Sequence, residues 1–226
     1  MSLKITFQGH AAFTFETGEH TLAVDPFITG NPLAEAAGLT RESISATHIA
    51  LTHGHADHVG DTLEIATRCG SQLIAAFEIC EWASEQGLEA VNPGNPGGRI
   101  DTDFGWIAFT QAFHSSSFEG RYMGMPCGLV INIGGTTIYH AGDTGLFSDM
   151  ALIGELYKPD IAILPIGDRF TMGPEHASRA AEMIKPGLAI PCHYGTWPPI
   201  DIDPARFQPN GIDVLRLGAG ESHVVD

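Results

Sequence analysis

The chain has 226 residues, of which 43% are hydrophobic and 17% charged, and its 11 Lys and Arg against 27 Asp and Glu give a formal net charge of −16. This composition is typical of a globular protein, and the length suits one domain spanning residues 1–226. A surface this acidic offers no basic stripe that could neutralise phosphates. We therefore expect neither a nucleic-acid partner nor a membrane partner.

The apolar runs are all shorter than the roughly 20 residues of a membrane helix, and residues 1–7 are typical of a strand rather than a signal peptide. We therefore predict a cytoplasmic location. The cysteines form no C-x-x-C pair, which predicts reduced, buried thiols at four separate positions: Cys69, Cys80, Cys127 and Cys192.

In the first half of the chain, the pattern of apolar and turn-forming residues predicts short strands, followed by strands that alternate with helices. In chain order, we expect strands at 3–8, 12–16 and 21–25, a loop at 26–45, a strand at 48–52, a helix at 61–68, a strand at 72–77, a helix at 78–86 and a turn-rich loop at 92–98.

The second half repeats this rhythm. In chain order, we expect strands at 107–112, 128–133 and 136–140, a helix at 147–157, a strand at 161–166, a helix at 174–185 and a strand at 188–191. Strand clusters followed by strand–helix alternation in both halves favour two packed sheets with helices outside.

The most informative stretch runs from His53 to His58, directly after the apolar residues 49–52. It places three imidazoles and one carboxylate close together: His53, His55, Asp57 and His58. Neutral imidazole and carboxylate are ligands that borderline divalent metals such as zinc prefer. A loop after a strand can present the first two histidines to one ion, and Asp57 and His58 to a second.

Three further candidate ligands, His114, Asp143 and His193, each follow a predicted strand. Sites built from loops at one edge of a sheet are a common arrangement in enzymes. The glycines beside Asp143 allow the close backbone approach that a carboxylate shared by two ions would need.

Taken together and in this order, these motifs resemble the metallo-β-lactamase superfamily. The resemblance implies an α+β fold, a four-layer αββα sandwich, with two divalent metal ions. It implies that His53, His55 and His114 bind the first ion, that Asp57, His58 and His193 bind the second, and that Asp143 bridges them. Zinc is the expected metal, with manganese, iron or nickel as alternatives.

Four segments, 9–13, 140–145, 170–175 and 193–196, are similar to a bacterial and archaeal group of metal-dependent hydrolases, which is itself similar to ascorbate-6-phosphate lactonase. Best-known β-lactamases of the superfamily lack a histidine at the position of His58 and use cysteine where Asp143 stands, which disfavours antibiotic hydrolysis. Diiron flavoproteins of the superfamily carry glutamate at the position of His55, and no flavin domain is appended here, which disfavours electron transfer.

Further residues are candidates for supporting roles. Asp57 can serve both as a ligand and as the acceptor of a water proton, and His10 is the foremost candidate for a general acid, ahead of His140 and His176. Asp25, Asp168 and Thr196 are candidates to orient ligand histidines through the second ring nitrogen. The alternatives are a turn cap for Asp25 and buried or supporting positions for the histidines. Five loop residues are candidates to line the pocket, with core packing or an oligomer contact as the alternatives: Phe118, Tyr122, Met123, Met172 and Trp197. His20, His48 and His223 are assigned no role.

The sequence therefore predicts a dinuclear metal-dependent hydrolase, in which a hydroxide between the ions attacks a small ester, lactone, amide or phosphoester. A phosphodiesterase or nuclease is the first alternative, although the acidic charge argues against nucleic acid. A metal-bound sensor or structural protein is the second, although all seven ligand positions are filled. A homo-oligomer remains open.

Overall fold

The computed structural model describes residues 2–225 as two seven-stranded sheets stacked face to face, with helices on both outer faces. The first sheet has the strand order β16-β1-β2-β3-β4-β5-β6 and the second β15-β14-β13-β12-β11-β8-β7. This confirms the predicted α+β class and the four-layer αββα sandwich.

The first sheet and its helices come from residues 3–94 and from the last strand of the chain. Its elements are β1 (Leu3–Gly9), β2 (Ala12–Thr17), β3 (His20–Val24), α1 (Pro32–Ala36), a 3-10 turn (Arg41–Ser43), β4 (His48–Ala50), α2 (Ala56–Val59), α3 (Thr62–Cys69), β5 (Gln72–Ala76), α4 (Phe77–Glu85) and β6 (Val91–Gly94). β1, β2 and β3 are antiparallel, whereas β3 to β6 run parallel.

The second sheet follows the same plan. Its elements are β7 (Arg99–Thr102), β8 (Gly105–Gln111), the small hairpin of β9 (Ser117–Phe118) and β10 (Arg121–Tyr122), β11 (Cys127–Ile133), β12 (Thr136–His140), α5 (Met150–Tyr157), β13 (Ile161–Pro165), α6 (Pro174–Ile184), β14 (Leu188–Cys192), two 3-10 turns (Pro198–Ile200, Pro204–Arg206) and β15 (Asp213–Val214). β16 (Ser222–Val225) then pairs with β1 at the edge of the first sheet.

Side chains alternate between two apolar layers along each strand, because successive strand residues point to opposite faces. In β13, Ile161 and Ile163 enter the core between the sheets, whereas Ala162 and Leu164 pack under α5 and α6. Both faces of these parallel strands are therefore covered, as their unbroken apolar sequence predicts.

Among the segments that differ from the sequence prediction, three have clear local causes or bounds. The predicted loop at 26–45 contains α1, which Asn31 caps by accepting hydrogen bonds from the backbone N–H groups of Leu33 and Ala34, with Pro32 in the first turn. The predicted turn-rich loop at 92–98 includes part of β6, where Pro93 is tolerated because β6 is an edge strand. The predicted helix at 147–157 begins only at Met150.

The cysteines are unpaired, with Cys80, Cys127 and Cys192 buried and Cys69 partly buried. Burial raises the pKa of the Cys80 thiol to about 11 and that of Cys127 to about 12. Within residues 2–225, no helix is both long enough and apolar enough to cross a membrane.

Candidate metal centre

The seven predicted ligands come from separate segments and meet at one end of the two sheets. Four lie in the loop and helical turn after β4, and the others follow β8, β12 and β14. Their ligand atoms form overlapping groups, and within each group the atoms lie within 4.8 Å of one another: His53, His55 and His114; His10, Asp57, His58 and His193; and His53, His58 and Asp143. The first two groups correspond to the two predicted ion positions, with His10 added to the second.

Asp143 lies between these groups. Its Oδ2 atom is 2.9 Å from His193 Nε2, 3.4 Å from His58 Nε2 and 3.5 Å from His114 Nε2. His114 belongs to the first group, and His58 and His193 to the second. One carboxylate oxygen therefore faces imidazole nitrogens from both groups.

Several atoms at this point are buried without a hydrogen-bond partner: His58 Nε2, both ring nitrogens of His193, and Asp143 Oδ1. Leaving a buried polar atom unpaired costs about 1–3 kcal/mol. These atoms are imidazole nitrogens and carboxylate oxygens directed at a common point. That is the set of ligand atoms that a divalent cation of the zinc class binds. The residues present therefore fit a metal centre.

The electrostatics of the cluster also favour a cation. Burial alone would lower the pKa of His58, but the carboxylates of Asp143, Asp25 and Asp57 outweigh it and raise that pKa well above its ordinary value. In the same way, Asp143 raises the pKa of His193 to about 9 against the effect of burial. Burial would raise the pKa of Asp143, but the two histidines hold it well below its usual range. The buried carboxylates thus demand positive charge, which protons or metal ions can supply.

Asp25 orients histidines of both groups. Its Oδ2 atom accepts hydrogen bonds from His58 Nδ1 (2.8 Å) and from the hydroxyl of Thr52 (2.7 Å), while Oδ1 accepts one from Thr52 N (2.8 Å). Because the Thr52 hydroxyl donates to Asp25, it must accept from His53 Nδ1, 3.0 Å away. In both histidines Nδ1 is therefore turned to this network, and Nε2 is the ring atom directed into the cluster, where a metal ion would take it.

His10 lies beside the second group, in the turn between β1 and β2. Its Nε2 donates to Asp57 Oδ2 (3.0 Å), and its Nδ1 accepts from the hydroxyl of Thr196 (2.8 Å). Burial lowers the pKa of His10 to about 4, so the ring is neutral at pH 7. A neutral imidazole whose one proton is directed at Asp57 is suited to orient that carboxylate.

The backbone is strained at the cluster. His10, Asp25 and His193 have φ values of 60°, 46° and 55°, in the left-handed region that non-glycine residues seldom adopt. The backbone N–H of His193 donates to the carbonyl of His10 at 2.7 Å, which joins the two sheets at this point. Such strain of order 1–3 kcal/mol per residue is typical of functional sites.

Gly54, between the first two histidines of the motif, is fixed by close packing. A Cβ atom there would lie 2.2 Å from Met123 Cβ, so only glycine allows the segment after β10 to cover the motif. Ser116 Oγ accepts a hydrogen bond from Gly54 N at 3.1 Å and donates one to the carbonyl of Met123. The His53–His55 loop is therefore held from both sides.

The structure does not bring every predicted residue to the cluster. His176 is exposed on α6, and Asp168 lies on an exposed turn with its carboxylate against Gly173. Among the described residues, neither makes a hydrogen bond to a clustered histidine. His140 is buried, donating from Nε2 to the carbonyl of Ala11 and accepting at Nδ1 from Gly142 N, so it supports the backbone beside His10 and Asp143.

The five predicted pocket residues divide between packing and site. Met123 and Met172 are buried in the outer apolar layers, and Phe118 packs edge-on against Trp82. Tyr122 is exposed. Trp197 packs against His10, with ring centroids 5.0 Å apart, so it contacts the cluster directly.

Several residues that contact the cluster were not predicted, among them Ser115, whose Oγ lies 3.3 Å from His55 Nε2. The Thr52 hydroxyl links Asp25 to His53 by hydrogen bonds. The ring of Phe27 packs on that of His10, with the ring centroids 5.9 Å apart. The only sequence signal for Thr52 is its position between a buried strand and the first histidine of the motif.

Comparison with known proteins agrees with this geometry. Residues 4–193 match the model of the Beta-lactamase superfamily domain. A UPF0173 metal-dependent hydrolase of Shouchella clausii is 48% identical over 230 residues, covering 99% of this chain and 97% of that protein. The chain belongs to the UPF0173 family of metal-dependent hydrolases.

The family includes a relative from Methanopyrus kandleri, 43% identical over 231 residues and covering 98% of this chain and 99% of that protein. Among solved structures, Igni18, a metallo hydrolase from the archaeon Ignicoccus hospitalis, superposes with a TM-score of 0.90 at 36% identity, covering 100% of this chain and 99% of that chain. The protein is therefore a metal-dependent hydrolase with a His/Asp cluster able to hold metal, as the sequence predicts.

Proposed function

We propose that this UPF0173 protein is a dinuclear hydrolase of small esters, lactones, amides or phosphoesters, with zinc as the expected metal and manganese, iron or nickel as alternatives. The position of Asp143 Oδ2, within 3.5 Å of histidine nitrogens from both groups, is the observation that carries the proposal. A carboxylate so placed suits two ions about 3.5–4 Å apart.

The residues that would hold the ions are those of the two groups. His53, His55 and His114 would bind the first, and Asp57, His58 and His193 the second, with Asp143 shared. When bound, the ions would supply a water of lowered pKa and a Lewis acid for the substrate oxygen.

Asp57 lies at the open side of the cluster, with 26% of its side chain exposed. Burial would raise its pKa, but His58, His10 and His193 hold that pKa well below the usual range. Asp57 therefore stays ionised at neutral pH. Its role is to accept a hydrogen bond from the attacking water and to orient it, since so weak a base retains no proton.

The substrate is proposed to be a small molecule with an apolar part. Phe113 precedes His114 and is 63% exposed, and Leu146 follows Asp143 by three residues and is also exposed. The net charge of −16 argues against nucleic acid as partner. We propose a cytoplasmic location, since four unpaired cysteines suit a reducing compartment.

The test is hydrolysis by zinc-loaded protein of a panel containing an ester, a lactone, an amide, a thioester and a phosphodiester. We expect turnover of at least one small substrate, lost on chelation and restored by two equivalents of metal per chain. Turnover confined to nucleic acid would favour the nuclease alternative. No turnover of any substrate by fully loaded protein would favour a non-catalytic sensor or structural protein.

Replacing His10 should weaken the second position without emptying the first. In His10→Ala, Asp57 loses the hydrogen bond that orients it, so we expect the second metal equivalent to bind about 10–100-fold more weakly, with a similar loss of kcat. Thr196→Val, which removes only the hydroxyl on His10, should show a smaller loss in the same direction. The matched control is His176→Ala, which should match the parent protein. Unchanged metal affinity and kcat in His10→Ala would contradict this role.

A further inference from the structure

A second cluster of possible metal ligands lies at the opposite end of the first sheet. His20 begins β3 and His48 begins β4, whereas the metal centre follows the other ends of these parallel strands. The five residue steps from His20 to Asp25 span about 16 Å at the usual rise of a strand. The third member, Asp103, comes from the second sheet, in the turn between β7 and β8.

The spacing of the three side chains matches ligands around a shared ion. Asp103 Oδ1 is 3.4 Å from His48 Nε2 and 3.7 Å from His20 Nδ1, and the three atoms lie within 4.8 Å of one another. These distances exceed the 2.7–3.2 Å of an ordinary N–H···O hydrogen bond. A tetrahedral ion with bonds of about 2.0–2.1 Å separates its ligand atoms by about 3.3 Å.

The hydrogen bonds of Thr47 favour the tautomer of His48 that is protonated on Nδ1. The Thr47 hydroxyl donates to the carbonyl of Thr21 (3.0 Å) and accepts from the N–H of Thr21 (3.1 Å). Its remaining position, that of an acceptor, faces His48 Nδ1 at 3.0 Å. This arrangement uses every hydrogen-bonding position of the hydroxyl when His48 carries its proton on Nδ1.

His48 Nε2 then directs a lone pair at the carboxylate of Asp103. Two acceptors that face each other repel unless a cation lies between them. A histidine Nε2 also faces a carboxylate oxygen in the metal centre at the other end of the sheet, where His58 Nε2 is 3.4 Å from Asp143 Oδ2.

The surroundings suit a small ion site open on one side. The His48 ring packs edge-on against the buried ring of Phe104, with centroids 4.9 Å apart, so its direction is fixed. The side chains of His20 and Asp103 are 21% and 63% exposed, which leaves room for water as a further ligand.

We propose that His20, His48 and Asp103 bind a further divalent cation of the zinc class, which ties the β7–β8 turn of the second sheet to the first sheet. Two imidazoles and one carboxylate suit zinc, nickel, cobalt or copper rather than magnesium or calcium. The site is structural in this proposal, and it does not depend on the activity at the other end of the sandwich.

The test uses Zn²⁺ alone as probe, on full-length protein stripped with chelator, dialysed against Zn²⁺ and freed of excess metal before elemental analysis. We expect His48→Gln to hold one equivalent of zinc fewer than the parent. Asp103→Ala, a change at an exposed side chain that leaves the core intact, should lose the same equivalent. The matched control His223→Gln, in β16, should keep the parent value. Hydrolysis should be unaffected in all three variants.

An Asp143→Ala background separates this site from the metal centre. There, zinc should still raise the midpoint of thermal unfolding, because a ligand that binds only the folded state stabilises it, and adding Asp103→Ala should abolish that rise. Equal zinc contents in the parent, His48→Gln and Asp103→Ala would overturn the proposal, whatever the metal centre binds.

Discussion

Asp143→Ala is expected to lower kcat/KM by about 1,000-fold or more and to remove metal from both positions of the centre. Its Oδ2 faces His58, His114 and His193, so alanine removes the one group that both ion positions share. A metal centre contributes several kcal/mol to the stabilisation of charge in the transition state, and about 4 kcal/mol corresponds to 1,000-fold in rate. Kinetics of the zinc-loaded variant and its zinc content measure both effects.

Two further variants test whether the loss of both ions is specific to Asp143. His193→Ala should mainly empty the second position and leave His53, His55 and His114 able to hold one ion. The matched control Asp201→Ala changes an exposed aspartate and should behave as the parent. An Asp143→Ala protein that kept two tightly bound ions at the centre would show that the shared role is wrong.

Asp25→Asn is expected to reduce both stability and metal affinity, although it preserves shape. Asp25 is fully buried and accepts hydrogen bonds from His58 and twice from Thr52. An amide offers only one accepting atom, so at least one buried donor loses its partner. We expect the free energy of unfolding of the metal-free protein to fall by about 3 kcal/mol, as when one partner of a buried charged pair is removed.

Metal affinity should fall as well, by about 10–100-fold, since the variant no longer fixes the ring orientation of the ligand histidines. Thr52→Val separates the two branches, because it removes the relay to His53 and leaves the bond between Asp25 and His58. Thr52→Val should therefore weaken metal binding at the first ion position more than at the second. Denaturant unfolding and zinc titration report the two quantities. Parent-like values for both in Asp25→Asn would contradict the orienting role.

Much of the fold follows from patterns that the sequence carries in strong form. The alternation of Leu3, Ile5 and Phe7 places one face of β1 in the core, and the apolar run of β13 requires cover on both sides. The four-layer arrangement was predicted from the family that the metal-binding motifs resemble, and the structure confirms that arrangement.

Local signals failed where tertiary packing decides the conformation. Pro93 and Gly94 are turn-forming residues, yet β6 forms because it needs a partner on one side only and because the ring of Phe109 occupies the space that a Cβ at Gly94 would fill. α2 is a single turn, too short to show a periodic pattern, and it forms as part of the motif loop.

The sequence predicted some residues of the candidate site and missed others. The motif spacing indicated the clustered ligands, but not Thr52, because a threonine after a strand is ordinary. His176 was a candidate as a histidine beside the segment 170–175, whereas the helical period of α6 already directs Ala177, Ala180, Ala181 and Ile184 inward and His176 outward. Periodicity was the better guide at that position.

Anomalous diffraction at the absorption edge of the bound metal, from crystals of protein purified without chelator, tests the central claim most directly. The account predicts two peaks at the carboxyl ends of β4 and β12, about 3.5–4 Å apart. One should contact His53, His55 and His114, the other Asp57, His58 and His193, with Asp143 between them. A single peak there, or ions that Asp143 does not touch, would contradict the dinuclear centre.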